Sequence, residues 1–436
     1  VKRHLEAGKR HFDLGDVQTA MSHYRTALGI DPECALVHFN LGFALYESQD
    51  REGAKTCYKR AIELEPECSL FLEHLAKLHF ESEEYQQCVS LFQRANLAGD
   101  VQPVSFGLWG RASYELEDYD SAAEQLSRML QFELTPTLTS YARYYLVLSR
   151  LRGGMLFHVR REMRRLLSQP KMDLELLADL GEQLLDSRCI SLAKRCLERY
   201  LEDSEDMTVS RSYQEIVEIE QKVDSILPRL FSGDEERILQ NIHLLFQFGS
   251  EKVGRALASI QDATSPLIRE AVVEYHLKYG YAFGGDLNRL LGDNTSFVRE
   301  KCAQYIYQSG SEDFCDAMRL KLADESGRVR RFASLYLRDY GTAEVLSDLT
   351  AAMENRQDDE ERRQLRMAAA AIKVRCGISS REQLKRDEGP APKAENAESA
   401  ESKKRSSQSR QKEGRGIWYG LIVLVSMASM LALLSL

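Results

Sequence analysis

Small residues recur every 34 positions through the first part of this chain: Gly8, Gly42, Ala76 and Gly110, and in parallel Ala20, Ala54, Cys88 and Ala122. Tyr24, Tyr58, Phe92 and Leu126 keep the same register, followed by Ala27, Ala61, Ala95 and Met129. A spacing held through four copies without an insertion leaves few folds open. Within each copy, apolar residues return at three- and four-residue steps over two runs of about a dozen positions, which is the pattern of two amphipathic helices. Gly15-Asp16 and Gln49-Asp50 interrupt the runs inside a copy, and Asp31-Pro32 and Glu65-Pro66 interrupt them between copies. Neither helix alone can bury its apolar face, so adjacent hairpins must stack to make a core.

These columns resemble the tetratricopeptide repeat (TPR), a helix-turn-helix unit whose small/large alternation packs one hairpin on the next. Four good units are expected, then two degenerate ones, ending near residue 205. The register slips by two or three residues after 135. Pro136 and Pro170 nevertheless stand 34 apart, and Leu180-Gly181, Ala193, Leu197 and Tyr200 restate the pattern. Ile216, Val217, Ile219, Val223 and Ile226 predict a further helix before Pro228, bridging residues 206–232.

Phe12, Tyr46, Phe80 and Tyr114 are aromatic in every good unit, and each precedes an acid: Asp13, Glu47, Glu81 and Glu115. The resemblance places them on the first helix of each unit, which in this family lines the concave groove. Carboxylates beside aromatic faces suit a basic or amphipathic peptide. Against this stands a plainer reading, in which the aromatics pack between units and the acids solvate helix ends. Co-chaperones of this family grip a C-terminal carboxylate with a Lys, Asn, Asn, Lys, Arg set. Here the matching positions hold Leu5, Lys9, Asn40, Leu70 and His74, so one of five agrees and that ligand is not expected.

A second period, close to 30 residues, takes over across 233–378. Ile238, Ile268, Val298 and Val329 keep it, with Leu365 after a longer spacer, and an arginine follows each anchor after the first: Arg269, Arg299, Arg330 and Arg366. Asp262, Asp293, Asp324 and Asp359 precede the anchors, and Gly249, Gly280, Gly310, Gly341 and Gly377 are expected to end the helices as left-handed caps. DNTSFVREKCA and DESGRVRRFA resemble the short HEAT repeat. The resemblance implies an Asp–Arg ladder between units near the hairpin turns, a structural role for those charges. Some proteins of this resemblance are enzymes, and the iron hydroxylase built on such repeats uses paired His-Glu dyads to hold its metal. His243 and His276 are the histidines here, and neither adjoins a glutamate.

No HExxH, P-loop, GxSxG or Rossmann fingerprint is present, and histidines such as His11 and His79 recur at twice the 34-residue period. The expectation is a non-enzyme with no catalytic residues, no cofactor, no metal and no small-molecule substrate. Arg160, Arg161, Arg164 and Arg165 form a basic run that is either a patch for phosphate or an acidic partner, or one solvated helix face. The nine cysteines contain no CxxC, and Cys34, Cys57, Cys88, Cys302 and Cys315 sit among apolar neighbours, as buried free thiols of a reducing compartment do. A formal charge of −9 gives no footprint for nucleic acid.

Residues 379–416 are rich in Glu, Ser, Lys, Arg, Ala and Pro, so they should form a disordered linker. Lys403, Lys404, Arg405, Arg410, Lys412 and Arg415 crowd its second half, and no charge follows from Ile417 to Leu436. Twenty such residues span about 30 Å as a helix, the thickness of a bilayer core. Trp418 and Tyr419 sit where interfacial aromatics belong, and the flanking cations put the repeats on the cytoplasmic side. A span at the end of the chain reads as a tail anchor, and Ala428 and Ala432 hint at helix dimerisation. The sequence opens at Val1 directly inside a repeat, consistent with residues lying upstream. The fold class expected is therefore all-α: two consecutive α-solenoids, a linker and a single transmembrane helix. The function expected is a membrane-tethered adaptor for other proteins, with an assembly or regulatory factor acting through its transmembrane helix as the alternative.

Overall fold

The computed structural model describes residues 1–99, 101–169 and 173–378. The linker at 379–416 with its six named cations, the span at 417–436 with Trp418 and Tyr419, and Pro170 lie outside the described residues. Among the described residues every regular element is helical, and no helix is long and apolar enough to cross a membrane. The helices fall into two compact units, one of residues 1–154, 165–169 and 173, the other of 155–164 and 174–378.

The first unit carries α1 (Lys2–Asp13), α2 (Val17–Ile30), α3 (Ala35–Glu47), α4 (Arg51–Leu64), α5 (Ser69–Glu81), α6 (Tyr85–Ala98), α7 (Pro103–Glu115), α8 (Tyr119–Met129) and α9 (Pro136–Arg152). The small-residue column is a steric requirement. A Cβ on Gly42 would come within 2.9 Å of the Tyr58 ring, and one on Gly110 within 2.7 Å of Leu126, each large residue lying 16 positions further along. Tyr58 and Leu126 are fully buried, so neither can yield without repacking the hairpin.

The turn inside each hairpin is built the same way four times. Gly15, Gln49, Glu83 and Glu117 take left-handed backbone, with φ of 80°, 65°, 60° and 62°. Next come Asp16, Asp50 and Asp118, whose carboxylates accept from the amides of Thr19, Gly53 and Ser121 at 3.2, 2.9 and 3.1 Å, capping α2, α4 and α8. In the third hairpin Glu84 holds that place without capping. Its longer side chain reaches Lys55 and His79 instead.

The second unit takes most of α10 (Leu156–Leu167), then α11 (Leu174–Asp186), α12 (Ile190–Leu201) and α13 (Met207–Ile226), which a 3-10 turn at Leu227–Phe231 ends. Gly181 faces Leu197 at the same 16-residue separation as the hairpins of the first unit. Then follow α14 (Glu235–Leu245), α15 (Glu251–Ala258), α16 (Pro266–Tyr279), α17 (Leu287–Leu291), α18 (Ser296–Ser309), α19 (Cys315–Leu320), α20 (Gly327–Tyr340), α21 (Leu346–Glu354) and α22 (Asp359–Arg375). Of the anchors, Ile268, Val298, Val329 and Leu365 are buried, while Ile238 is half-buried.

Charges tie these repeats together. Arg269 pairs with Asp293 at 2.7 Å and Arg299 with Asp324 at 2.9 Å, each guanidinium reaching forward one unit. Arg330 takes Glu361 rather than Asp359. Among the described residues Arg366 forms no such rung, and its Nε donates to the Arg362 carbonyl.

Buried tyrosines add a second set of ties. Tyr275, Tyr305 and Tyr336 donate to the carbonyls of Phe248, Tyr281 and Ser311 at 2.7, 2.9 and 2.7 Å. Their oxygens accept from the amides of Ser250, Phe283 and Phe314, so each hydroxyl pins the preceding loop by both a carbonyl and an amide.

Two local expectations need correction. Gly280, Gly310 and Gly377 are left-handed, but Gly249 and Gly341 are not. Those two are glycine for space: a Cβ on Gly249 would meet the Arg188 carbonyl at 2.8 Å, and one on Gly341 would strike the Leu337 carbonyl. All nine cysteines are free, yet Cys34, Cys57 and Cys315 are only half-buried, whereas Cys88 and Cys302 are in the core.

Candidate functional sites

In the first unit the aromatic–acid column sits at the C-terminal ends of α1, α3, α5 and α7, and the acids divide into two kinds. The Tyr46 hydroxyl donates to Glu81, which also pairs with Arg51. Glu115 pairs with Arg111, whose guanidinium lies 4.1 Å over the Tyr145 ring. Those two carboxylates are spent inside the stack. Asp13 and Glu47 are exposed, and no described residue forms an ion pair with either. Phe12 lies 5.2 Å from Phe43, Phe80 meets Tyr85 edge-on, and Tyr114 is set between Tyr119 and Tyr145. All four aromatics are half-buried, so each both packs and shows a face.

Beneath this column lies a buried polar row that the repeat pattern did not announce. The Lys77 ammonium sits 4.7 Å over the Tyr46 ring, and burial pulls its pKa down to about 8 against the pull of Glu81 and Glu47. His74 packs edge-on against Phe39 and Phe43, and burial lowers it to about 3, so it is neutral. Burial raises Glu73 to about 7, although Ser105 and the Gln102 amide both donate to it. Asn40, the one position that agrees with a carboxylate clamp, is buried and donates to the Leu36 carbonyl at 2.6 Å.

In the second unit a cleft of about 870 Å³ opens beside α10. Phe157, Arg160, Arg161 and Arg164 line it, following the i, i+3, i+4, i+7 spacing of one helix face. Arg165 falls outside the lining. Arg160 is a tie rather than a free cation: its Nε donates to the Tyr279 carbonyl at 2.8 Å, and its guanidinium lies 3.6 Å over the Tyr281 ring. Arg161 and Arg164 are exposed. Arg195 and Arg255, 35 and 95 residues beyond Arg160, join the lining only through folding. Gly280 makes the approach of α10 possible, since a Cβ there would lie 2.6 Å from the Leu156–Phe157 backbone. Among the described residues no group of three or more His, Cys, Asp or Glu could hold a metal ion.

Two family profiles match: one described as TPR repeat over residues 8–49, one as tetratricopeptide repeat over 35–68. Residues 8–68 therefore carry tetratricopeptide repeats, and every regular element among the described residues is helical. No curated protein matches the sequence. Among solved structures, YrrB, described as a TPR protein with an unusual peptide-binding site, is 18% identical, covers 44% of this chain and 97% of its own, and has a TM-score of 0.39. A tetratricopeptide repeat protein from Parabacteroides merdae is 16% identical over 64% of this chain and 98% of its own, with a TM-score of 0.39. Naa15/Naa10 bound to HypK is 14% identical over 86% of this chain and 61% of its own, with a TM-score of 0.38.

Proposed function

We propose that the chain is a non-catalytic scaffold that binds other proteins through its helical repeats and is tethered to a membrane by residues 417–436. In this reading the tetratricopeptide array runs to residue 205, 206–232 bridges, HEAT-like repeats fill 233–378, and 379–416 is the tether. The observation that supports it most is the pair of exposed carboxylates, Asp13 and Glu47, beside the aromatic faces of Phe12 and Tyr46. A basic or amphipathic peptide lying along those helices would offer both carboxylates charge-assisted hydrogen bonds.

Membrane attachment rests on the uncharged run and its flanking cations, which favour a single-pass protein with its repeats on the cytoplasmic side. Such an anchor raises the local concentration of any ligand confined to the same membrane.

Titration with a lysine-rich amphipathic peptide tests the groove: D13K/E47K should weaken binding at least tenfold, and unchanged affinity would remove it. Alkaline carbonate washing tests the anchor. The full chain should stay with the membrane pellet, and its release would end the tether reading.

A further inference from the structure

We propose that the cleft beside α10 is a docking site for an extended acidic peptide that carries an aromatic or aliphatic side chain. Five arginines and two carboxylates, Glu251 and Asp286, line it, in a chain whose formal charge is −9. The carboxylates are already committed. Glu251 pairs with Arg195 at 2.7 Å and stands 3.8 Å from Arg160, while Asp286 caps α17 through the amides of Asn288 and Arg289. That leaves Arg161, Arg164 and Arg255. Arg161 has Glu162 at 3.9 Å, and no described residue forms a hydrogen bond or ion pair with Arg164 or Arg255. Cations gathered in a concave wall repel one another and focus a positive potential, which a partner's carboxylates would relieve.

Part of the remaining wall is apolar and already in place. Phe157, Phe283 and Phe314 line the cleft, and the Tyr305 hydroxyl fixes the loop bearing Phe283 by accepting from its amide at 2.8 Å. A preformed wall lowers the ordering cost of binding. At about 870 Å³ the cleft is far larger than a lone phosphate needs, and it lies within the range of about 300–1,000 Å³ typical of ligand sites. Cationic forks over an aromatic floor select side chains of both kinds in one strand.

The inference rests on the scaffold reading but uses neither Asp13 nor Glu47, so the two can fail separately. The full chain is used to select from a displayed library of random dodecapeptides, and recovered peptides are titrated by fluorescence anisotropy. Enrichment of sequences with several carboxylates and an aromatic or aliphatic residue is expected. R161E/R164E and R255E should each weaken these peptides at least tenfold, while R165E, also an exposed arginine of α10 but outside the cleft, should change affinity less than twofold. All four substituted residues are exposed, and far-UV circular dichroism confirms that the variants fold.

Selection of no peptide, selection of neutral or basic peptides only, or an R165E effect equal to that of R161E/R164E would overturn the proposal. Tighter binding of a dodecathymidine strand through the same arginines would overturn it too, in favour of nucleic acid. Recovery of basic peptides that depend on Asp13 and Glu47 would leave the scaffold standing without this cleft.

Discussion

Arg299 uses all of its hydrogen-bonding capacity inside the protein, and this makes its rung the sharpest test of how the second unit is held together. Nε and Nη2 form a fork on Asp324 at 2.9 and 3.0 Å, Nη1 donates to the carbonyls of Asp293 and Asn294, and Nη2 also reaches Glu325. That engages five N–H donors, the full set of a guanidinium. The two side chains are 7% and 5% exposed, so water cannot replace a lost partner. R299M leaves Asp324 with the Ser326 amide and Lys321 and frees two carbonyls, which should cost about 3–5 kcal/mol, the range for breaking a buried pair. D324N should cost less, about 2 kcal/mol, the scale of hydrogen bonds to a charged group, because the backbone carbonyls and Glu325 still hold three of the donors. If the pair acts as a unit, R299M/D324N should fall short of the sum by at least about 1.5 kcal/mol. Hydrogen exchange of the α18 and α20 amides, with urea unfolding in parallel, measures all four species. Additivity within about 0.5 kcal/mol would refute the rung as a coupled element.

Y305F removes the hydroxyl that serves the Tyr281 carbonyl and the Phe283 amide, so it should cost about 1–3 kcal/mol, and exchange protection should be lost first in the loop at 281–286. Q49G and E117G should each raise stability by about 0.5–1 kcal/mol in thermal unfolding. A left-handed residue with a side chain costs about 1–2 kcal/mol, and glycine gives back up to about 1 kcal/mol through the freedom of the unfolded chain. Glu73, raised to about 7, holds its proton more tightly when folded, so it costs stability as pH rises from its unfolded value toward 7. His74, lowered to about 3, does the reverse, adding stability as pH rises from about 3 to its unfolded value near 6.5. The two slopes oppose each other between about pH 4.5 and 6.5, so E73Q should expose a steady rise there that the parent lacks. A parallel pH profile for E73Q, measured by urea midpoint, would contradict the buried carboxyl. Burial raises the pKa values of Asp293 and Asp324, but Arg269 and Arg299, joined by hydrogen bonds from Thr295 and Ser326, outweigh it and hold both below the usual value. Their contribution is therefore complete above about pH 4 and should disappear only in stronger acid.

The hairpins of the first unit were legible because each small residue stands opposite a large one 16 positions on, a relation carried by side-chain size alone. Asp16 and Asp50 could be read as turn residues because they stand where the apolar runs break. The left-handed seats at Gln49, Glu83 and Glu117 carried no such signal, since only Gly15 has the residue the geometry favours. Projection of α10 onto a helical wheel separates Arg160, Arg161 and Arg164 from Arg165 only weakly, and the contributions of Arg195 and Arg255 depend on contacts far along the chain. The tyrosine column was hidden in another way. A buried tyrosine looks like any aromatic until the acceptor of its hydroxyl is known, and those acceptors are backbone carbonyls, which side-chain identity does not announce.

That column stops before the last repeat. The position corresponding to Tyr336 in α22 is Ile372, and the loop after α20 is instead held by the guanidinium of Arg375, which donates to the carbonyls of Arg338, Asp339 and Gly341. A partly hydrated clasp lets go more readily than a sealed one. Unravelling of the second unit should accordingly begin at α22 and run backwards, leaving the segment nearest any downstream anchor as the first to yield under tension.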